Sequence, residues 1–322
     1  MNELEVALAA VRAAARVTLA VRPEPKALEG AVEKEDRSPV TVGDFAAQAV
    51  VCAAIQDAFP DDLVIGEEAA DSLRTPEGAA LLEQIVELVR AERPGATSEQ
   101  VCDWIDRGGQ RDPAPRAWTL DPIDGTKGFL RGDQYAVALA LIEEGQVQLG
   151  AIVCPALPVK GTSEGPRGVV AWGQRGQGAF QVPLAGGEPV RLAVSQAPAS
   201  ESRQLESVEP GHHDRERAGR IRAALGLTRE PVRLDSMAKY LVLARGDAEL
   251  YLRLTRPGYQ QKIWDHAAGA ILVEEAGGRL SDLSGKAPDF GQGAYLDCEG
   301  GLVVSSGAWH EDALRAISAG EA

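Results

Sequence analysis

Three groups of acidic residues stand where the chain changes direction. Gly66-Glu67-Glu68 follows the apolar triplet Leu63-Val64-Ile65, Asp121-Pro122-Ile123-Asp124-Gly125-Thr126 closes another apolar run, and Trp264-Asp265 opens a helical stretch. The middle group carries the most chemistry. Pro122 sets the turn and Gly125 permits a sharp backbone bend. Two carboxylates and the carbonyl of Ile123 between them can then face one space. Such hard oxygens suit Mg²⁺, which favours octahedral oxygen coordination and keeps some of its water. Two such ions close together clamp a phosphate and activate water for in-line attack. Each group alone also fits a plain turn or a helix cap; three groups at element ends favour a shared site. Glu68 is either a side chain that orders a metal-bound water or a solvated neighbour of Glu67. Asp44, near a predicted helix start, is either a cap or a base for water.

The cations narrow the ligand. The formal net charge is −15 and no Lys/Arg run is present. A duplex-binding protein needs a basic face, and an anionic membrane surface attracts the same feature. We therefore expect neither nucleic acid nor membrane as a partner. A small anionic substrate remains compatible, because a divalent cation reverses the charge of one cleft. Arg253 falls within the predicted strand Tyr251-Leu252-Arg253-Leu254. Its fork of donors fits a phosphate there, as Lys239 would a second charge; surface ion pairing is the alternative for both. Lys127 and Arg131 either steer substrate or pair with Asp133. Four separated cysteines form no metal or redox motif. Glu3 and Glu5 stand where a signal peptide would carry bases, and no apolar run reaches a membrane span, so a cytoplasmic location is expected.

Periodicity supplies the elements that must hold these residues. Helices are predicted over 3–21, 44–58, 77–91, 213–225, 236–245, 265–276 and 309–319. Strands are predicted at 63–65, into Asp121, and over 135–143, 147–153, 168–173, 178–182, 190–194, 205–208, 232–234, 248–254, 279–281 and 301–305. Residues 24–42 read as a loop or hairpin. Residues 92–117 read as a surface insertion with one short helix over 98–104 and no assigned role. Pro155 and Pro158 suggest a boundary near 155, giving an N-terminal α+β domain (1–155) with most of the acidic groups and a C-terminal α/β domain (156–322). Alternating helices and hairpins predict mixed sheets layered between helices.

The segments IGEE, DPIDGTKGFLRGDQYAVALALI and KIWDHAAGAILVEEAGG resemble the lithium-sensitive, magnesium-dependent phosphatases related to inositol monophosphatase. Blocks of likeness run from about residue 34 to 305. SPVTVGDFAAQAVV, LDSMAKY, YLRL and GYQQKIWDHAAG are similar to the bisphosphate nucleotidase branch, as is Thr126-Lys127-Gly128-Phe129, where inositol monophosphatases have Thr-Asn. The resemblance implies an α/β layered sandwich, α-β-α-β-α, like that of inositol monophosphatase and fructose bisphosphatase. It implies two or three Mg²⁺ ions held by Glu67, Asp121, Asp124, Asp265 and the Ile123 carbonyl. Asp44 and Thr126, with Glu68, would orient and deprotonate the attacking water. Gly125 and Thr126 would offer backbone N–H groups to the scissile phosphate. Ser236, Lys239, Arg253 and Asp265 would bind an adenosine bisphosphate or its phosphosulfate relative. One histidine would join them: His212 is favoured by Gly211, but His213 is adjacent, whereas the family separates its two histidines. An inositol phosphate or fructose bisphosphate phosphatase is the alternative enzyme, and a silent nucleotide or metal sensor the alternative class. A monomer and a homodimer are both compatible.

Overall fold

The segment Ala136–Glu143 reads AVALALIE, and its alternation explains the middle of the molecule. In the computed structural model, which describes residues 1–22, 39–162, 164–208, 215–256, 258–298 and 300–320, this segment is a strand buried on both faces. Val137, Leu139 and Leu141 point to one core, while Ala136, Ala138, Ala140 and Ile142 point to another. A period-two strand with large residues on one side and small ones on the other separates two helical layers at different distances.

The large sheet follows sequence order, β1 (Leu63–Gly66), β2 (Arg116–Asp124), β3 (Ala136–Glu143), β4 (Gln146–Pro158), β5 (Arg167–Gln174), β6 (Gly178–Pro183) and β7 (Val190–Arg191). Only β1 and β2 pair in parallel; the rest is antiparallel. One face carries α1 (Glu3–Val21), α2 (Pro39–Ala58), α3 (Ala79–Glu92) and α4 (Ser98–Asp106), packed over Trp118, Leu120, Leu139 and Val153. Fully burying side chains of this size contributes about 1.5–3 kcal/mol each. After β2 comes the short α5 (Thr126–Leu130).

The second sheet contains β8 (Gln204–Glu206), β9 (Val232–Arg233), β10 (Leu250–Leu254), β12 (Arg279–Asp282) and β14 (Gly301–Ser305), in the order β12-β14-β10-β8-β9. Between the sheets lie α7 (Ala238–Ala244) and α8 (Ala267–Glu275), both inside the core that includes the alanine face of β3. Leu250, Leu252 and Leu254 face the outer helices α6 (Arg215–Ala224) and α9 (His310–Gly320), leaving Tyr251 and Arg253 on the inward side of β10. A small ribbon pairs β11 (Gln261–Lys262) with β13 (Tyr295–Leu296). The layers run α-β-α-β-α, as expected.

Several expectations need adjusting. Residues 39–42, read as loop, are the start of α2, so Asp44 lies inside a helix and is not its cap. The rest of that loop, 24–38, lies outside the described residues. Asp265 belongs to the 3-10 turn Ile263–Asp265 and precedes α8 rather than opening it. The stretch 92–117 is not simply a surface insertion: α4 buries Val101, Cys102 and Ile105 against the first helical layer. Strand β4 runs continuously through residue 155, and the sheet goes on to Arg191.

Candidate active site

The acidic groups arrive from separate elements: Asp44 from α2, Glu67 and Glu68 from the loop after β1, Asp121 and Asp124 from β2, and Asp265 from the turn before α8. Their electrostatics place them in one neighbourhood. Burial first, then Glu68 and Glu67, pushes the Asp44 carboxyl well above its ordinary value. Burial followed by repulsion from Glu67, Asp124, Asp265 and Asp44 does the same to Asp121. Asp124 is raised to about 6, by desolvation and then Asp265, with Lys239, the Met237 N–H and Arg253 pulling the other way. Desolvation, Glu68, Asp265 and Asp124 raise Glu67 to about 8 against the pull of Lys262. Desolvation raises Glu68 as well. The side chain of Glu67 still reaches solvent, so the cluster opens outward there.

Local structure explains the convergence at β2. Its register against β3 shifts between Asp121 and Asp124, so the two carboxylates escape the strict alternation of a regular strand. Gly125 then takes a left-handed backbone, φ +86°. Thr126 Oγ1 donates to the Ile123 carbonyl at 3.3 Å. A Cβ on Gly125 would lie 2.9 Å from Ser236 Cβ. Replacing Gly125 with Ala should therefore destabilise the fold by about 1–2 kcal/mol from backbone conformation alone, and more from the contact. Thermal melting should register that loss together with reduced turnover. An unchanged melting temperature would deny the close approach.

That approach joins the turn to the second half of the chain. Ser236 itself has φ +65°, a left-handed conformation that costs a serine about 1–3 kcal/mol and concentrates at functional sites. The Met237 N–H donates to Asp124 Oδ2. Lys239 is 4% exposed, not a surface ion-pair partner; it donates to the Leu234 carbonyl at 3.1 Å and lies over the Tyr251 ring. Arg253 donates to Asp265 Oδ2 at 2.9 Å and to Gln261 Oε1 at 2.9 Å. Arg131 pairs with Asp133 and also with Asp235. Trp264 is buried as a core anchor between Arg111 and Lys262. His212 and His213 lie outside the described residues.

The donors are all oxygen, which fits Mg²⁺ and does not fit a thiophilic metal. Asp121 Oδ1 is buried and has no hydrogen-bond partner. An orphaned carboxylate oxygen among like charges is costly unless a cation serves it. Among the described residues no three His, Cys, Asp or Glu side chains already stand in a metal-holding array.

Gln48 was not singled out by its sequence, yet it organises the Glu67-Glu68 loop. It is fully buried in α2. Its amide nitrogen donates to the carbonyls of Glu68 and Ile105, each at 2.7 Å, and its oxygen accepts from the Glu68 N–H at 3.0 Å. Gly66 and Gly108 leave room for it: a Cβ on either would approach the amide to 2.7 and 2.5 Å. The Ala70 N–H reaches Asp106 Oδ1 at 2.7 Å. The stretch that had no assigned role therefore braces two of the acidic residues. One glutamine amid the apolar run of α2 was the available signal.

The inositol monophosphatase family model matches residues 2–321. A 3'(2'),5'-bisphosphate nucleotidase from Schizosaccharomyces pombe is 42% identical, covering 98% of this chain and 95% of that protein. Another of that name from Oryza sativa is 40% identical, covering 98% and 93%. Among solved structures, an IMPase from Thermotoga maritima superposes with a TM-score of 0.63 at 22% identity, over 99% of this chain and 98% of that one. CysQ from Bacteroides thetaiotaomicron, described as a bacterial member of the inositol monophosphatase family, gives 0.63 at 20% identity, over 94% and 96%. With five layers, an oxygen-only acidic cluster and likeness along nearly its whole length, the chain belongs to the inositol monophosphatase family.

Proposed function

We propose that this protein is a magnesium-dependent phosphomonoesterase that removes the 3'-phosphate of adenosine 3',5'-bisphosphate, releasing AMP and inorganic phosphate. The observation that carries the reading is the buried, unpartnered Asp121 oxygen within a group of mutually repelling carboxylates beside Lys239 and Arg253. The names borne by the relatives support the nucleotide as substrate.

Glu67, Asp121, Asp124, Asp265 and the Ile123 carbonyl would hold the metal. Bound there, Mg²⁺ supplies charge neutralisation for the phosphoryl oxygens and lowers the pKa of water. The remaining work belongs to the chain. Asp44, on helix α2, which packs against α5, takes the proton of the attacking water, while the hydroxyl of Thr126 orients that water and Glu68 orders water beside them. Backbone N–H groups at Gly125 and Thr126 face the phosphate being transferred. Ser236, Lys239 and Arg253 hold the nucleotide and its other phosphate, the guanidinium through the donors left over by Gln261 and Asp265. Catalysis is then positioning and electrostatics, without a covalent intermediate.

Phosphate release from adenosine 3',5'-bisphosphate, its phosphosulfate relative and inositol 1-phosphate, at fixed magnesium, tests the reading. The two nucleotides should be turned over far better than the inositol ester; the reverse order would refute it. Arg253→Ala should raise KM for the bisphosphate by about 10- to 100-fold, the loss of a charge-assisted contact. A fall in kcat alone, with affinity intact, would remove Arg253 from the substrate site.

A further inference from the structure

One buried polar chain near the site is not absorbed by these roles. Tyr240 on α7, His266 before α8, and Gln261 on β11 are all shielded from solvent. The Tyr240 hydroxyl lies 2.7 Å from His266 Nδ1, and His266 Nε2 lies 2.9 Å from Gln261 Oε1. Arg253 Nε donates to that same amide oxygen at 2.9 Å. An amide oxygen only accepts, so His266 carries its proton on Nε2 and accepts from the tyrosine at Nδ1. Hydrogen bonds therefore run from Tyr240 through His266 to the Gln261 oxygen, which also accepts from Arg253.

The Gln261 amide nitrogen is buried without a hydrogen-bond partner. An unpaired buried N–H weakens a fold, and leucine would fill similar space without one. What Gln261 contributes is therefore its oxygen. A guanidinium is planar, with donors in a fixed fork. Holding Nε and bracing one terminal nitrogen against Asp265 Oδ2 at 2.9 Å sets the direction of the whole plane. Arg253 also lies over the Tyr259 ring, 5.9 Å from its centroid, and a terminal nitrogen reaches the Tyr259 hydroxyl at 3.4 Å.

We propose that Gln261, braced by His266 and Tyr240, is a positioning residue that fixes the guanidinium plane of Arg253 for the non-scissile phosphate of a doubly phosphorylated substrate. The inference rests on Arg253 being the partner of that phosphate. It assigns Gln261 to substrate selection through Arg253, whose other partner is Asp265 of the acidic cluster.

The test is steady-state kinetics of the full chain at saturating Mg²⁺, with adenosine 3',5'-bisphosphate and adenosine 3'-monophosphate compared. Gln261→Leu should raise KM for the bisphosphate about tenfold, the loss of one orienting contact to a charged group. It should change kcat by less than about twofold and leave KM for the monophosphate unchanged. Equal damage to both substrates, or an unchanged bisphosphate KM, would make Gln261 a packing residue and overturn the inference. Arg253→Ala, run in parallel, separates the two levels. If it spares the bisphosphate KM, the substrate role of Arg253 falls; if it raises that KM while Gln261→Leu does not, only the role of Gln261 falls. Should melting show Gln261→Leu unfolded, Tyr240→Phe decides. A bisphosphate-selective rise in KM of about threefold supports the inference, and an unchanged KM overturns it.

Discussion

Asp124→Asn should reduce magnesium-dependent phosphate release by about 100- to 1,000-fold while the protein stays folded. Asparagine keeps the shape of the side chain and an oxygen that can accept from the Met237 N–H. It removes the charge. If Asp124 holds a metal that supplies several kcal/mol of transition-state stabilisation, losing about 3–4 kcal/mol of it gives a change of that size. The same substitution should raise the melting temperature in a chelator, because Asp124 adds to the repulsion felt by Glu67 and Asp121. Activity and metal-free stability should thus move in opposite directions. Near-normal magnesium-dependent turnover would refute the assignment, and a lower melting temperature in chelator would show that Asp124 is not a source of electrostatic strain.

Without divalent cations, thermal stability should fall as pH rises from about 5 to 8, and Mg²⁺ should restore it. Asp124 titrates at about 6 in the folded chain against an ordinary 3.8. Glu67 is moved from 4.5 to about 8, and Asp44 and Asp121 shift in the same direction. A raised folded-state pKa means that the native protein binds more protons than the unfolded chain between the two values. Stability therefore has a negative slope with pH in that window. The contribution is complete below the unfolded pKa values and is lost as pH passes through the folded ones. An ion that binds the deprotonated cluster reverses the trend by mass action. We expect a fall of about 5 °C in melting temperature across the window in chelator and a gain of similar size on adding magnesium at pH about 8. A flat profile in chelator, with no gain from magnesium, would mean that these carboxylates do not share a site.

The other expected effects divide by region. Gly125→Ala tests the contact between the turn and Ser236, Arg253→Ala tests affinity for the bisphosphate, and Gln261→Leu tests the hydrogen bonds behind it. None depends on the acidic cluster alone, so their outcomes discriminate among the parts of the site.

Much of the architecture was legible in the chain. Alternation in Ala136–Glu143 and the apolar spacing of Glu3–Val21 correspond to elements close to those ranges. Turn chemistry around Asp121–Thr126 was readable because Pro and Gly restrict or free local dihedrals. The start of α2 is hidden because Pro39 stands in a polar stretch that reads as loop, whereas proline is tolerated in the first turn of a helix. Gln48 and Gln261 carried little signal, since glutamines such as Gln48 or the Gln260-Gln261 pair are common in any exposed element. Both are fully buried, and their value lies in partners that only the fold brings to them: Glu68 and Ile105 for Gln48, and Arg253 and His266, on neighbouring elements, for Gln261. Arg131 was weighed against its near neighbour Asp133, but it also pairs with Asp235 across the fold.

The order of residues carries the local grammar: which side chains can be charged, where the backbone bends, and which faces are apolar. Those depend on nearest neighbours and on periods of two or 3.6 residues. Packing of the layers is what makes side chains from α2, the β1 loop, β2 and the turn before α8 repel one another in one place, with one buried amide, Gln48, bracing the Glu67-Glu68 loop and another, Gln261, holding Arg253. Electrostatic coupling and desolvation depend on distances through space, set by how layers pack, and no local pattern in the chain encodes those distances.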